Sequence, residues 1–118
     1  MERVSVLKLS LFKDSEKSFL AALDAEGIEH SRVDLFTNQP HASEIVESIS
    51  ALSKSMPWNA IAKVIVKWID ARKSRKIIIT TEDGKVIHAE GYSIKELESI
   101  LPKTERVSVI DIESHNES

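Results

Sequence analysis

Apolar and polar residues alternate from Arg3 to Phe12 (RVSVLKLSLF). Val4 and Val6 fall on one side, and then, one residue out of phase, Leu7, Leu9 and Leu11 fall on the other. A period of two predicts a strand, and the change of phase predicts either a bulge or a central strand covered on both faces. Asp14 and Ser15 supply N-cap oxygens, Phe19, Leu20 and Leu23 recur at helical spacing, and Gly27 suits the left-handed stop of a helix. Residues 30–36 (HSRVDLF) set Val33 and Leu35 against Arg32 and Asp34 and predict a second strand. This β-α-β start is long enough for a parallel crossover.

Thr37 to His41 reads as a loop. Ser43 is then the expected cap of a helix carrying Ile45, Val46, Ile49 and Leu52 on one stripe. That helix should stop near Ser53–Met56, because the residue before Pro57 disfavours helical backbone. Pro57 itself fits the first position of a new helix running to Arg72 or Lys73. Residues 76–81 (KIIITT) predict a strand, Glu82-Asp83-Gly84 a turn and Lys85–Ala89 the returning arm of a hairpin. Ser93 and Glu96 form a capping-box pattern ahead of Ile94, Leu97, Ile100 and Leu101, with Pro102 ending that helix. Residues 106–112 predict a last strand and 113–118 a polar, frayed tail. The expected order is β-α-β-α-α-β-β-α-β with no dividing linker. The fold class is therefore α+β over residues 1–112: an open α/β sandwich, with helices packed on a mixed sheet of about five strands.

A length of 118 residues, 42% hydrophobic and 30% charged, suits one core. The absence of cysteine excludes disulfides, thiolate zinc sites and cysteine nucleophiles. No apolar run reaches the ~18–20 residues that span a bilayer, and the N-terminus carries no signal-peptide pattern, so no membrane contact and a cytoplasmic location are expected. The net charge of −3 is unevenly placed. Lys63, Lys67, Arg72, Lys73, Arg75 and Lys76 crowd one stretch with a single acid, Asp70, and leave the remainder strongly acidic. Such a cluster faces a phosphate backbone or acidic partner, or places cations at the end of a helix where the macrodipole favours them.

The 57–73 segment carries more apolar girth than a surface helix needs. Trp58, Ile61, Ala62, Ile65, Val66 and Ile69 form one broad stripe, which Val64 and Trp68 widen; Asn59, Lys63, Lys67 and Asp70 make the polar strip. The surplus is either wedged between the sheet and a neighbouring helix or meets another protein chain. The second possibility gives a partner-binding surface on the 58–72 helix. Trp68 and Val64 would be its apolar anchors and Arg72, Lys73, Arg75 and Lys76 its charged rim. An effector protein or a second copy of the chain would be the partner.

Catalytic patterns are sparse. His30, His41, His88 and His115 include no metal-binding pair at helical spacing and no HExxH, so no metal site is expected. His88 and Glu90 share one face of an extended segment, the geometry of a general base and its orienting carboxylate, and equally of a surface contact. There is no GxSxG elbow, and glycines 27, 84 and 91 build neither a phosphate loop nor a dinucleotide fingerprint. No catalytic residue, no cofactor and no enzymatic activity are expected.

The segment AIAKVIVKWIDARKSRKIIITTEDGKVIHAEGYSIKELESIL, residues 60–101, resembles the effector-associated constant component domain of bacterial conflict systems. The likeness rests on an Ala-rich helix ending in Trp68-Ile69-Asp70-Ala71-Arg72, a hairpin turning at Asp83-Gly84, and the capped helix Ser93–Leu101. It implies a non-catalytic adaptor that accompanies an effector in prokaryotic anti-phage defence, and it supplies no catalytic residues. The element order also looks like the thioredoxin fold, without its CxxC and without a proline before the 77–81 strand, so redox activity is not implied. Two other functions stay open: a small immunity-type inhibitor of a toxin, and a nucleotide or nucleic-acid binder using the 63–76 cluster.

Overall fold

Residues 3–12, 15–33 and 44–112 are described in a computed structural model of the chain. The elements follow as β1 (Val4–Phe12), α1 (Glu16–Ala25), β2 (Ser31–Arg32), β3 (Glu44–Leu52), α2 (Trp58–Ala71), β4 (Arg75–Thr81), β5 (Val86–His88), α3 (Ile94–Ile100) and β6 (Thr104–Asp111). The six strands form one mixed sheet in the order β2-β3-β1-β6-β4-β5. β1 and β6 are parallel, and every other neighbouring pair is antiparallel. This is the α+β architecture the sequence predicts, with one more strand. No described helix is long and apolar enough to cross a membrane.

The extra strand corrects the expected helix at 43–52. Ile45, Val46, Ile49 and Leu52 do fit a helical stripe, but β-branched residues and serines are weak helix formers, and both suit a pleated surface. Pairing decides between the two. β3 matches β1 without interruption from Val4↔Leu52 to Phe12↔Glu44. β2 therefore runs parallel to β1 with β3 inserted between them. The helix that a thioredoxin-like order needs at this point is absent. Ser43 and the remainder of the expected 30–36 strand beyond Val33 lie outside the described residues, as does the tail from Glu113.

The phase change in β1 needs no bulge, because its register with β3 is continuous. Leu7, Leu9 and Leu11 turn to the core, and Val4 and Val6 lie exposed on the opposite face. Ile49, Ile77, Ile79, Val107 and Val109 share the leucines' side. Phe19 and Leu23 of α1, Ile61, Ile65 and Trp68 of α2, and Leu97 of α3 close over them as a single cluster. All three described helices thus cover one face of the sheet.

Local chemistry fixes the element ends. Gly27 adopts φ +73°, and the next N–H, that of Ile28, donates to Leu23 O at 3.0 Å, which ends α1. Gly84, at φ +88°, supplies the left-handed residue of the β4–β5 turn. Both halves of the Ser93/Glu96 capping box are formed. Ser15 precedes α1 but its side chain caps nothing. It is fully buried, and its hydroxyl donates to Val109 O at 2.8 Å, tying the end of β1 to β6. Pro57 stands at the N-cap of α2 rather than at its first helical position.

Candidate interaction surface

Trp68 and Val64 are core residues, exposed by only 3% and 2%. The expected exposed shoulder of α2 is therefore corrected, because the chain's own elements enclose it. Phe19 of α1 meets the Trp68 ring edge-on, with centroids 5.5 Å apart and planes at 84°. The indole N–H donates to Ser18 Oγ at 2.9 Å. The Arg75 guanidinium lies 4.5 Å from the ring centroid.

The basic cluster is likewise divided. Arg75 is folded inward: its Nη1 donates to Trp68 O at 3.1 Å and its Nε to Asp111 Oδ2 at 3.3 Å. Arg72 and Lys73 are exposed at the end of α2, and Lys67 reaches Glu26 at 4.0 Å. Lys76, next to Arg75 on a strand, is exposed on the other face of the sheet. The six cations from Lys63 to Lys76 are adjacent in sequence but do not share one patch.

On the sheet face away from the helices no described element packs. Its register can be read across the strands. One row runs Ser31, Ser48, Lys8, Arg106, Thr80 and Val86; the next runs Val46, Ser10, Ser108, Ile78 and His88. Val4, Val6 and Leu52 extend the face at one corner and, with Val86, are its most exposed apolar side chains, between 44% and 64% accessible. Lys8, Lys76 and Arg106 are exposed and have no carboxylate partner among the described residues. Lys8 and Arg106 are register partners on adjacent strands, an arrangement of like charges that costs the folded chain stability.

Ser10 sits at the middle of this face, 1% exposed, and its hydroxyl has no hydrogen-bond partner among the described residues. An unmet buried hydroxyl costs roughly 1–3 kcal/mol, so Ser10→Ala should preserve the fold and raise stability by about 1 kcal/mol. Urea unfolding reads this directly, and a lower midpoint for the variant would mean that the hydroxyl is partnered.

Two further groupings lie elsewhere. A cleft of about 480 Å³ opens between the β4–β5 turn and the end of α3, with Ile87 and Ile100 on its walls and Lys85 and Lys103 at its rim. Its acid Asp83 is held below the usual carboxylate range mainly by the hydrogen bond from Thr81. On the helix-covered side, His30 bridges two carboxylates: Nδ1 lies 2.9 Å from Glu47 Oε1 and Nε2 lies 2.9 Å from Asp24 Oδ1. Arg32 continues the chain from Glu47 (3.3 Å) to Glu16 (2.7 Å). Glu47 is buried, and burial acts against a charged His30 ring. The bonds and charges of Glu47 and Asp24 outweigh that effect and raise the His30 pKa above its usual 6.5. His88 and Glu90 are both exposed, and no contact joins them. Among the described residues no three histidine, aspartate or glutamate side chains are placed to hold a metal ion.

Sequence reasoning missed Lys8, Ser10 and Arg106. The signal for them was the second phase of β1 and the unbroken run Ile77-Ile78-Ile79, a run expected of a strand covered on both faces. No protein-family model matches the chain, and neither the curated proteins nor the solved structures give a significant match.

Proposed function

We propose that the chain is a non-catalytic interaction module, an adaptor for an effector in a prokaryotic anti-phage or conflict system, acting in the cytoplasm. Its partner meets the open face of the sheet rather than the 58–72 helix. One observation carries this reading: among the described residues no element packs on the far face of the six-strand sheet, and that face presents Val4, Val6 and Leu52 at one corner and Val86 at the β5 edge to solvent. Val4, Val6 and Leu52 are neighbours across the β1–β3 pairing, and contiguous exposed apolar surface of that kind marks protein interfaces. The β5 edge points the same way. It has three residues, too few to template an added strand. The resemblance of residues 60–101 to effector-associated domains agrees with an adaptor role and suggests the genomic neighbour as the partner to test.

Co-expression with the product of each adjacent gene tests the proposal. A stable complex is expected with one of them. Val6→Ser/Leu52→Ser should weaken it about tenfold, a loss of ~1.4 kcal/mol, with an unchanged melting temperature. A chain that stays monomeric with every neighbour, or a complex indifferent to this pair of substitutions, overturns it.

A further inference from the structure

We infer that the occupant of the open sheet face is an acidic, amphipathic helix of a partner protein; this rests on the docking role proposed above and specifies its chemistry. The face joins two kinds of surface. Val46, Ile78 and Val86 line it in register with Ser10, Ser108 and Thr80, and Lys8, Arg106 and Lys76 stand among them. These three cations are unpaired among the described residues, although the chain as a whole carries −3. The direct Lys8–Arg106 pairing works against folding. A carboxylate-bearing partner converts that cost into attraction.

The same features argue against other occupants. A second copy placed by two-fold symmetry would bring two identical positive faces together. Sheets that read single-stranded nucleic acid present aromatic rings for base stacking. Here the two rows carry valine, isoleucine, serine and threonine beside Lys8 and Arg106, with His88 only at the β5 edge, and Phe12, on this face at the end of β1, is half-buried. A helix fits in length as well as chemistry: Val46 on β3 and Val86 on β5 stand four strand spacings apart, about 19 Å, which a helix of about 13 residues crosses. Its leucine-type stripe would lie on Val46, Ile78 and Val86, with flanking glutamates reaching the three cations.

The test uses the full chain with three probes: a designed amphipathic helical peptide of about 20 residues with glutamates flanking a leucine stripe, the same peptide with lysines for glutamates, and an oligothymidine of similar length. Backbone amide shifts on titration should appear in β1, β4 and β6 with the glutamate peptide alone, and added salt should weaken binding. Lys8→Glu should reduce affinity for the glutamate peptide about tenfold. The variant's melting temperature should equal or exceed the parent's, because the new carboxylate would face the Arg106 guanidinium across the β1–β6 pairing. A residue that served the fold alone would show the opposite pattern, a lower melting temperature with affinity unchanged. Equal binding of both peptides, stronger binding of the oligothymidine, or no binding by the glutamate peptide overturns the inference. A neighbour complex that is sensitive to Val6→Ser/Leu52→Ser but indifferent to Lys8→Glu would also overturn it while leaving the docking role in place. If no neighbour complex forms, the docking role itself falls.

Discussion

Trp68→Ala is expected to destabilise the protein by about 3–5 kcal/mol. That is a large part of the ~5–15 kcal/mol holding a typical domain together. The side chain is 3% exposed and joins three elements. Phe19 and Ser18 bind it to α1 through the edge-on ring contact and the 2.9 Å indole hydrogen bond. Arg75 at the start of β4 covers it at 4.5 Å, and Asp111 at the end of β6 holds Arg75 in place. Truncation leaves a cavity among these groups, takes the indole donor from Ser18 Oγ, which keeps its own bond to Ser15 O, and removes the ring beneath a half-buried guanidinium. Urea unfolding of the variant should show a much lower midpoint at an unchanged slope. Arg75→Ala should lose less, because the aromatic pair and the core volume survive. A folded Trp68→Ala protein of parental stability that had lost only an external partner would restore α2 as the docking element.

The apolar girth of α2 was legible in the sequence. What consumes it was not. Helical spacing places Trp68 and Val64 on a shoulder of α2, but only the packing of α1 decides that Phe19 and Ser18 meet that shoulder. The hairpin, the capping box and the Gly27 stop were legible because each depends on residues close in sequence. β3 was not. Its nine residues satisfy both a helical and an extended pattern, and the choice falls to β1, a strand that ends more than thirty residues earlier. The basic rim failed for the same reason at smaller scale. Successive residues of a strand point to opposite faces, so Arg75 enters the protein while Lys76 leaves it. The cations that do meet, Lys8 and Arg106, are far apart in sequence and are brought together only by the parallel β1–β6 pairing.

The chain should be less stable at about pH 9 than at about pH 6, with His30 as the cause. Both ring nitrogens lie 2.9 Å from carboxylate oxygens, and a carboxylate accepts but does not donate, so both nitrogens must carry protons. The folded protein therefore binds the charged imidazolium, and its pKa lies above the 6.5 of an unstructured histidine. The bridge contributes fully below about pH 6.5, and its contribution is lost as the pH rises through the folded value. Above that value a single N–H remains for two carboxylates, and a ring lone pair is turned toward one of them. Glu47 is the costly one, because it is buried on β3 and among the described residues keeps only Arg32 of β2, 3.3 Å away, while Asp24 of α1 is exposed to water. His30→Gln keeps one donor and removes the titration. At about pH 6 it should be roughly 1.5–3 kcal/mol less stable than the parent, the worth of a charge-assisted bond to a buried acid. By about pH 9 the two proteins should converge. Urea unfolding at the two pH values measures both. A parent whose stability is level or rises across this interval would mean that His30 is neutral in the folded chain and that another group satisfies Glu47.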